Sequence, residues 1–181
     1  MFQRLLVAFP VGVSHHDFYF LCFIARFCRE KEISILVSLA TTFLHILSLC
    51  DSFALQEEIS LGNVQVEVLP AYNMQKEFHK KKNGWVGYKI TKDETTYAIL
   101  GDTDNIPELQ TLSCDVLFIP IGGTYTMDPS EAAALANAIV PKLVVPTHYG
   151  TVVGTKQNEK EFLALLNKSI KHKILIKDAK K

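Results

Sequence analysis

A chain of 181 residues, 48% of them apolar, can bury the core of one domain and is too short for two ordinary ones. Nineteen basic side chains balance nineteen acidic ones, so the strongly basic surface that nucleic-acid binding needs is not there. Four cysteines (Cys22, Cys28, Cys50 and Cys114) form no Cys-x-x-Cys pair and no cleavable leader precedes them, which leads us to expect reduced core thiols in a cytoplasmic protein.

The first fifty residues are apolar but interrupted. Phe18 to Cys28 is dense in aromatic and aliphatic side chains, and Ile33 to Cys50 approaches the length of a membrane span. Ser34, Ser38, Thr41, Thr42, His45 and Ser48 break that second run with polar groups that lipid would leave unsolvated. The reading is therefore a helix over about 20–30, a buried strand at Ile33–Val37 and a helix over about 40–50, with no membrane insertion.

From Leu61 onward the pattern is cleaner. Val64-Gln-Val-Glu-Val-Leu69 alternates as a half-buried strand does and stops at Pro70. After a loop from Ala71 to Gly84, two runs, Trp85 to Thr91 and Thr95 to Leu100, flank Lys92-Asp-Glu94, which is hairpin spacing. Asn105 to Cys114 leads into an apolar strand, Asp115 to Ile121. Asp128-Pro-Ser-Glu131 then starts a helix, with Asp128 as N-cap, Pro129 in the first turn and Glu131 reaching back. That helix runs to about Val140, and Lys142 to Pro146 is a further buried strand followed by Thr147-His-Tyr-Gly150. An amphipathic helix over about 157–170 and an edge strand at Lys173–Lys177 complete the chain.

This order places chemistry in space. Entry to the first hairpin strand and exit from the second share an edge, so His79 in the preceding loop lies beside Asp102. The strand–helix–strand order of 115–146 is a βαβ unit, so strands 95–100, 115–121 and 143–146 are expected to be parallel with their carboxyl ends aligned. Each ends in a polar segment: Gly101-Asp-Thr-Asp104, Gly122-Gly-Thr-Tyr-Thr126 and Thr147-His-Tyr-Gly150. Open α/β sheets carry their sites on that rim.

His79, Asp102 and His148 converge there. Two imidazoles and a carboxylate suit a borderline divalent ion, and three protein ligands with an open position is the catalytic arrangement. Coordination would lower the pKa of water from about 15.7 to about 7 and supply hydroxide. Against this, a loop histidine is more often a surface residue, and Asp in a Gly-Asp-Thr turn often bonds its own backbone. Joint placement on one rim is what favours the metal reading.

The run from Val64 to Gly150 resembles the carboxyl-terminal half of the metallo-β-lactamase superfamily, in its branch of small metal-dependent hydrolases. The resemblance rests on Pro70-Ala-Tyr-Asn73, Phe78-His79, Gly84-Trp-Val-Gly-Tyr88, Gly101-Asp-Thr-Asp104, Ile121-Gly-Gly-Thr-Tyr-Thr126 and Pro146-Thr-His-Tyr-Gly150, in that order. It implies an α/β four-layer αββα sandwich, a single domain over 1–181 with about 61–181 the well-matched part. It also implies a metal-bridging Asp102, with His148 on one ion and His79 on the other. One or two ions of zinc or manganese are the implied cofactor.

The amino-terminal part departs from that family. The signature His-x-His-x-Asp-His would supply further ligands, yet here only Ser14-His-His-Asp17 stands, with thirteen residues before it. In an extended segment His15 and His16 point to opposite faces, where His-x-His would put both on one. The expectation is a remnant of the signature behind a truncated or altered start, with His15 or His16 assisting the metal and Asp17 as general base. A sandwich short of its opening strands would expose an apolar face, which favours a homo-oligomer.

Three readings compete. One is a hydrolase of ester, amide or phosphodiester bonds in a small-molecule substrate. Another is an inactive relative that keeps the fold. The third takes Asp102-Thr-Asp104 as the Asp-x-Asp of a manganese-dependent sugar transferase, and it leaves His148 unexplained. Gly122, Gly123 and Thr124 either offer donors to a substrate oxyanion or only make a tight turn. Tyr125 and Tyr149 would wall the pocket, with Gly123, Thr124 and Tyr125 the substrate-binding candidates. Lys80-Lys-Lys82 reads as a solvated loop before an anion clamp. His45 and His172 lack ligand company.

Overall fold

The structure is a computed structural model that describes residues 58–61 and 63–177. The expectations for the first fifty residues, and with them His15, His16 and Asp17, lie outside those residues, as does part of the single domain expected over 1–181. The strands are β1 (Glu58–Leu61), β2 (Val64–Pro70), β3 (Val86–Lys92), β4 (Thr95–Ile99), β5 (Val116–Pro120), β6 (Leu143–Thr147) and β7 (Lys171–His172). Helix α1 (Pro129–Ile139) connects β5 to β6, and α2 (Lys156–Leu165) connects β6 to β7. The strands form one sheet in chain order.

Strands β1 to β4 are antiparallel, and β4 to β7 are parallel. The alternation of β2 matches its burial, with Val64, Val66 and Val68 inside and Gln65 exposed. Lys92 pairs with Thr95, so the hairpin loop is Asp93-Glu94, and both residues take positive φ (48° and 62°) as a type I′ turn requires. Pro146 is tolerated because β7 pairs only with Leu143 and Val144, leaving Pro146 beyond the end of that neighbour.

Helix α1 begins with the expected capping box: the Asp128 carboxylate accepts the Glu131 N–H at 2.8 Å and the Glu131 side chain accepts the Asp128 N–H at 3.0 Å. Its buried face is Ala132, Ala133, Leu135 and Ala136, small enough for close approach to the sheet. With Ala98, Leu117, Ile119, Ile121, Val144 and Phe162 these residues form the core on the helix side. A Leu135→Ala substitution there would cost about 2–5 kcal/mol. The cross-strand row Val68, Tyr88, Ile99, Phe118 and Val145 is buried on the opposite face of the sheet, as the register requires.

Two carboxyl-terminal expectations need correction. Helix α2 ends at Leu165, short of 170, because Asn137 captures its end: Nδ2 donates to the Leu165 carbonyl at 3.0 Å, and Oδ1 accepts the Asn167 N–H at 2.8 Å. Asn167 then accepts the Ser169 N–H in an Asx turn. The edge strand consequently falls at Lys171–His172 and not at 173–177. No helix among the described residues is long and apolar enough to cross a membrane.

Candidate metal centre at the carboxyl edge of the sheet

The loop after β2, the turn after β4 and the turn after β6 meet at one edge. Nε2 of His79 lies 3.4 Å from Oδ2 of Asp102, and Nε2 of His148 lies 3.2 Å from Oδ1 of the same carboxylate. The three side chains are 9%, 15% and 31% exposed, so the group sits at the surface end of the core and is open to a ligand. Among the described residues no three His, Cys, Asp or Glu side chains stand in a preformed metal cage; here each oxygen of Asp102 faces one imidazole.

Both histidines are held in an uncommon backbone conformation. The described non-glycine residues at positive φ are the two hairpin residues, the helix-terminal Val140, His79 at 49° and His148 at 55°. For an L-residue this region is strained and persists only where the surroundings impose it, as they often do at functional sites.

The restraints on His79 can be traced. Asn73 donates its N–H to the His79 carbonyl at 2.8 Å, and Asn73 Nδ2 donates to the carbonyls of Phe78 at 3.1 Å and Tyr125 at 2.7 Å. The Tyr125 carbonyl also lies 3.3 Å from His79 Nδ1. A carbonyl can only accept, so Nδ1 carries the proton and Nε2, on the Asp102 side, keeps its lone pair. Such a second partner commonly orients a metal-binding imidazole. Trp85 stands edge-on to the same ring at 5.5 Å between centroids.

Asp102 and Asp104 divide their tasks. Gly101, at φ 66°, turns the chain out of β4 and presents Asp102 to the edge. Asp104 points back into the protein, is 4% exposed, accepts the Met74 N–H at 2.9 Å and forms an ion pair with Lys76. Between them Thr103 accepts the Tyr72 N–H at 3.1 Å. The second aspartate thus anchors the loop that carries His79.

His148 is fixed from the other side. A Cβ on Gly122 would lie 2.2 Å from the His148 carbonyl oxygen, so only glycine lets the two turns touch. Tyr149, fully buried, donates to Glu159 of α2 at 2.7 Å, and Lys156 pairs with that carboxylate at 3.0 Å. Burial, then the Glu159 carboxylate, pushes the Tyr149 phenol well above its ordinary range, so it stays a donor. Tyr149 therefore anchors His148 to the helix layer and does not wall the site. Burial pulls the His148 pKa down, but the hydrogen bond and charge of Asp102 more than reverse this, leaving it raised. Its Nδ1 is buried with no hydrogen-bond partner among the described residues.

The substrate-side candidates fare unequally. The Gly123 N–H is donated inward to the Met127 carbonyl at 3.0 Å, which makes the tight turn and leaves no donor there for an oxyanion. Thr124 is exposed, and Tyr125 is half-buried with its ring edge-on to Phe78 at 4.6 Å. Lys80 pairs with Glu77 at 2.7 Å and Lys81 with Glu108 at 2.9 Å, so this run behaves as an ion-paired surface loop. A cleft of about 490 Å³ follows the outer side of the same loop, lined by residues 72–77, Lys80 and Lys81, and does not reach His79, Asp102 or His148.

Known proteins share these features. Residues 34–148 match the beta-lactamase superfamily domain, a stretch that starts thirty residues ahead of the resemblance read from Val64 and begins after Ser14-His-His-Asp17. A protein of Listeria monocytogenes named a metal-dependent hydrolase is 36% identical over 93 residues, 49% of this chain and 41% of that one. A like-named protein of Caldivirga maquilingensis is 34% identical over 116 residues, 61% of this chain and 48% of that one. The chain thus spans less than half the length of these curated relatives. Among solved structures, one named as a candidate metal-dependent hydrolase from Parabacteroides distasonis superposes with a TM-score of 0.58 at 31% identity, over 66% of this chain and 54% of that one. The metallo-beta-lactamase fold protein YhfI of Bacillus subtilis superposes with a TM-score of 0.54 at 14% identity, over 70% and 51%. The described sheet with its two helices corresponds to one βα half of that four-layer fold.

Proposed function

Because the chain belongs to the metallo-β-lactamase superfamily, we propose that it is a metal-dependent hydrolase of a small-molecule substrate whose ions are held at the edge built from His79, Asp102 and His148. The observation that carries this reading is the placement of one carboxylate between two imidazoles, 3.4 Å and 3.2 Å away, at the carboxyl ends of parallel strands. The donor set fits zinc or manganese. Two nitrogens and a carboxylate are borderline-to-hard ligands, the His79 tautomer leaves Nε2 available, and the buried Nδ1 of His148 has no hydrogen-bond partner among the described residues.

A bound divalent ion supplies hydroxide near neutral pH and polarises the bond to be broken. The chain does the rest. Asp102 joins the two histidines, the Tyr125 carbonyl holds His79, and Tyr149 with Glu159 holds His148. In ester hydrolysis the hydroxide oxygen bonds to the carbonyl carbon, the carbon–oxygen bond to the leaving group breaks, and a proton passes to the departing oxygen. Asp17 would handle that proton as general base and then acid, and His15 or His16 would complete the ligand set. The Thr124 hydroxyl is placed to donate to the developing oxyanion.

The test is turnover of activated esters by purified full-length chain loaded with zinc or manganese. We expect weak hydrolysis that chelation removes, metal restores and His148→Ala abolishes. Equal turnover with and without metal, or in His148→Ala, rejects the reading in favour of an inactive relative that keeps the fold.

A further inference from the structure

We infer that the proposed site takes an uncharged substrate with an apolar acyl or aromatic group, seated on a rim formed by Met74, Phe78, Tyr125 and Val152, rather than a phosphodiester or other anion. The inference rests on the hydrolase reading for its chemistry but on separate residues for its recognition. Among the described residues five large apolar side chains are strongly exposed: Met74, Phe78, Val140, Val152 and Leu165. Three of these five occupy the two loops that deliver the histidines. Phe78 precedes His79, is 50% exposed, and packs on Tyr125, whose carbonyl holds the His79 ring. Met74, 54% exposed, is pinned to the same loop by its N–H bond to Asp104. Val152, 88% exposed, is the tip of the turn after His148, closed by the bond from the Gly150 N–H to the Val153 carbonyl.

Exposed apolar side chains gathered at one place mark a binding surface, whereas scattered ones do not. Val140 and Leu165 lie elsewhere, at the ends of α1 and α2 that lead toward the amino ends of β6 and β7. Charge argues the same way. The lysines beside the site are already neutralised, Lys76 by Asp104, Lys80 by Glu77 and Lys81 by Glu108, so they provide no ready clamp for a phosphate. Apolar contact remote from the reacting bond is the means left for orienting a substrate there.

The probe is N-phenyl-1-naphthylamine, an uncharged apolar fluorophore, titrated against full-length chain. Trp85 is the single tryptophan and stands beside His79, so energy transfer from it reports binding near the rim. Saturable binding is expected, weakened about tenfold or more in the Phe78→Ser/Val152→Ser double variant and unchanged in Val140→Ser/Leu165→Ser. With metal loaded, kcat/KM for p-nitrophenyl octanoate should exceed that for the acetate about tenfold, bis(p-nitrophenyl) phosphate should be slower than the octanoate, and the chain-length ratio should fall to near one in the rim variant. Probe binding untouched by the rim variant overturns the inference even if esters are hydrolysed. So does a rim variant that changes only oligomeric state, since the surface would then be a contact between copies. Loss of probe binding in the rim variant with no turnover of any ester would keep the rim and reject the hydrolase reading instead.

Discussion

Asp104 accepts the backbone N–H of Met74 at 2.9 Å across a sequence separation of 30 residues, and this bond decides where the His79 loop sits. Asp104→Ala would leave that N–H and the Lys76 ammonium without their partner. A cost of about 2 kcal/mol is expected, below the range for a fully buried pair because Lys76 reaches solvent. Urea unfolding gives that number. Metal titration should show weakened binding in Asp104→Ala and a smaller loss in Asp104→Asn; unchanged affinity in both would mean that His79 is positioned without this clasp.

Gly122→Ala should be more damaging than any loop alanine has reason to be. The new methyl group would fall 2.2 Å from the His148 carbonyl oxygen, and backbone cannot give way as a side-chain tip can. We expect about 2–4 kcal/mol of lost stability together with a displaced His148. Alanine at Gly84, where a Cβ meets nothing within 4 Å but φ is 67°, is the control and should cost about 1 kcal/mol. Equal thermal midpoints for the two variants would contradict the contact.

Much of this was legible in the sequence, and the failures have physical causes. The hairpin, the Asp128 capping box and the parallel run of β4 to β6 follow from local signals: two-residue loop spacing, an Asp-Pro-x-Glu start, and strand–helix–strand order. The meeting of His79, Asp102 and His148 was deducible from strand direction alone. The roles of Asp104, Asn73 and Tyr149 were not, because each depends on what its side chain meets 10 or more residues away. The end of α2 was misjudged for the same reason, since Asn137 on a different helix stops it. One signal could have been used: a second carboxylate two residues after the first, on an otherwise apolar strand exit, needs a buried partner.

Stability toward acid should depend on Asp115. Its carboxylate accepts the Thr96 N–H at 2.8 Å and pairs with Lys142 at 2.6 Å, and the Lys142 bond, then the Thr96 N–H, hold its pKa below the usual carboxylate range. A depressed folded pKa means that the contribution is fully present above the unfolded value of about 3.9 and is lost as pH falls through the folded value. Urea midpoints at pH 6 and pH 3 for wild type and Asp115→Asn should therefore differ at pH 6 and converge at pH 3. A constant gap between the two proteins would show that the carboxylate charge is irrelevant.

Cys114 should be a poor nucleophile. Burial, reinforced by the Asp115 charge, pushes its thiol up to about 12, so little thiolate forms near pH 8. Peptide-level mass spectrometry after iodoacetamide treatment should find Cys114 modified at least about a hundredfold more slowly in the folded chain than in urea. Rapid modification of the folded chain would mean that β5 opens at its start.

The central claim is that one carboxylate and two histidines at the sheet edge hold a metal ion. Its most direct measurement is metal content and zinc or manganese affinity of the purified full-length chain beside Asp102→Ala and His148→Ala. The account predicts bound metal in the wild type and its loss in both variants, with folding retained by circular dichroism. Unchanged stoichiometry and affinity in both variants would contradict it.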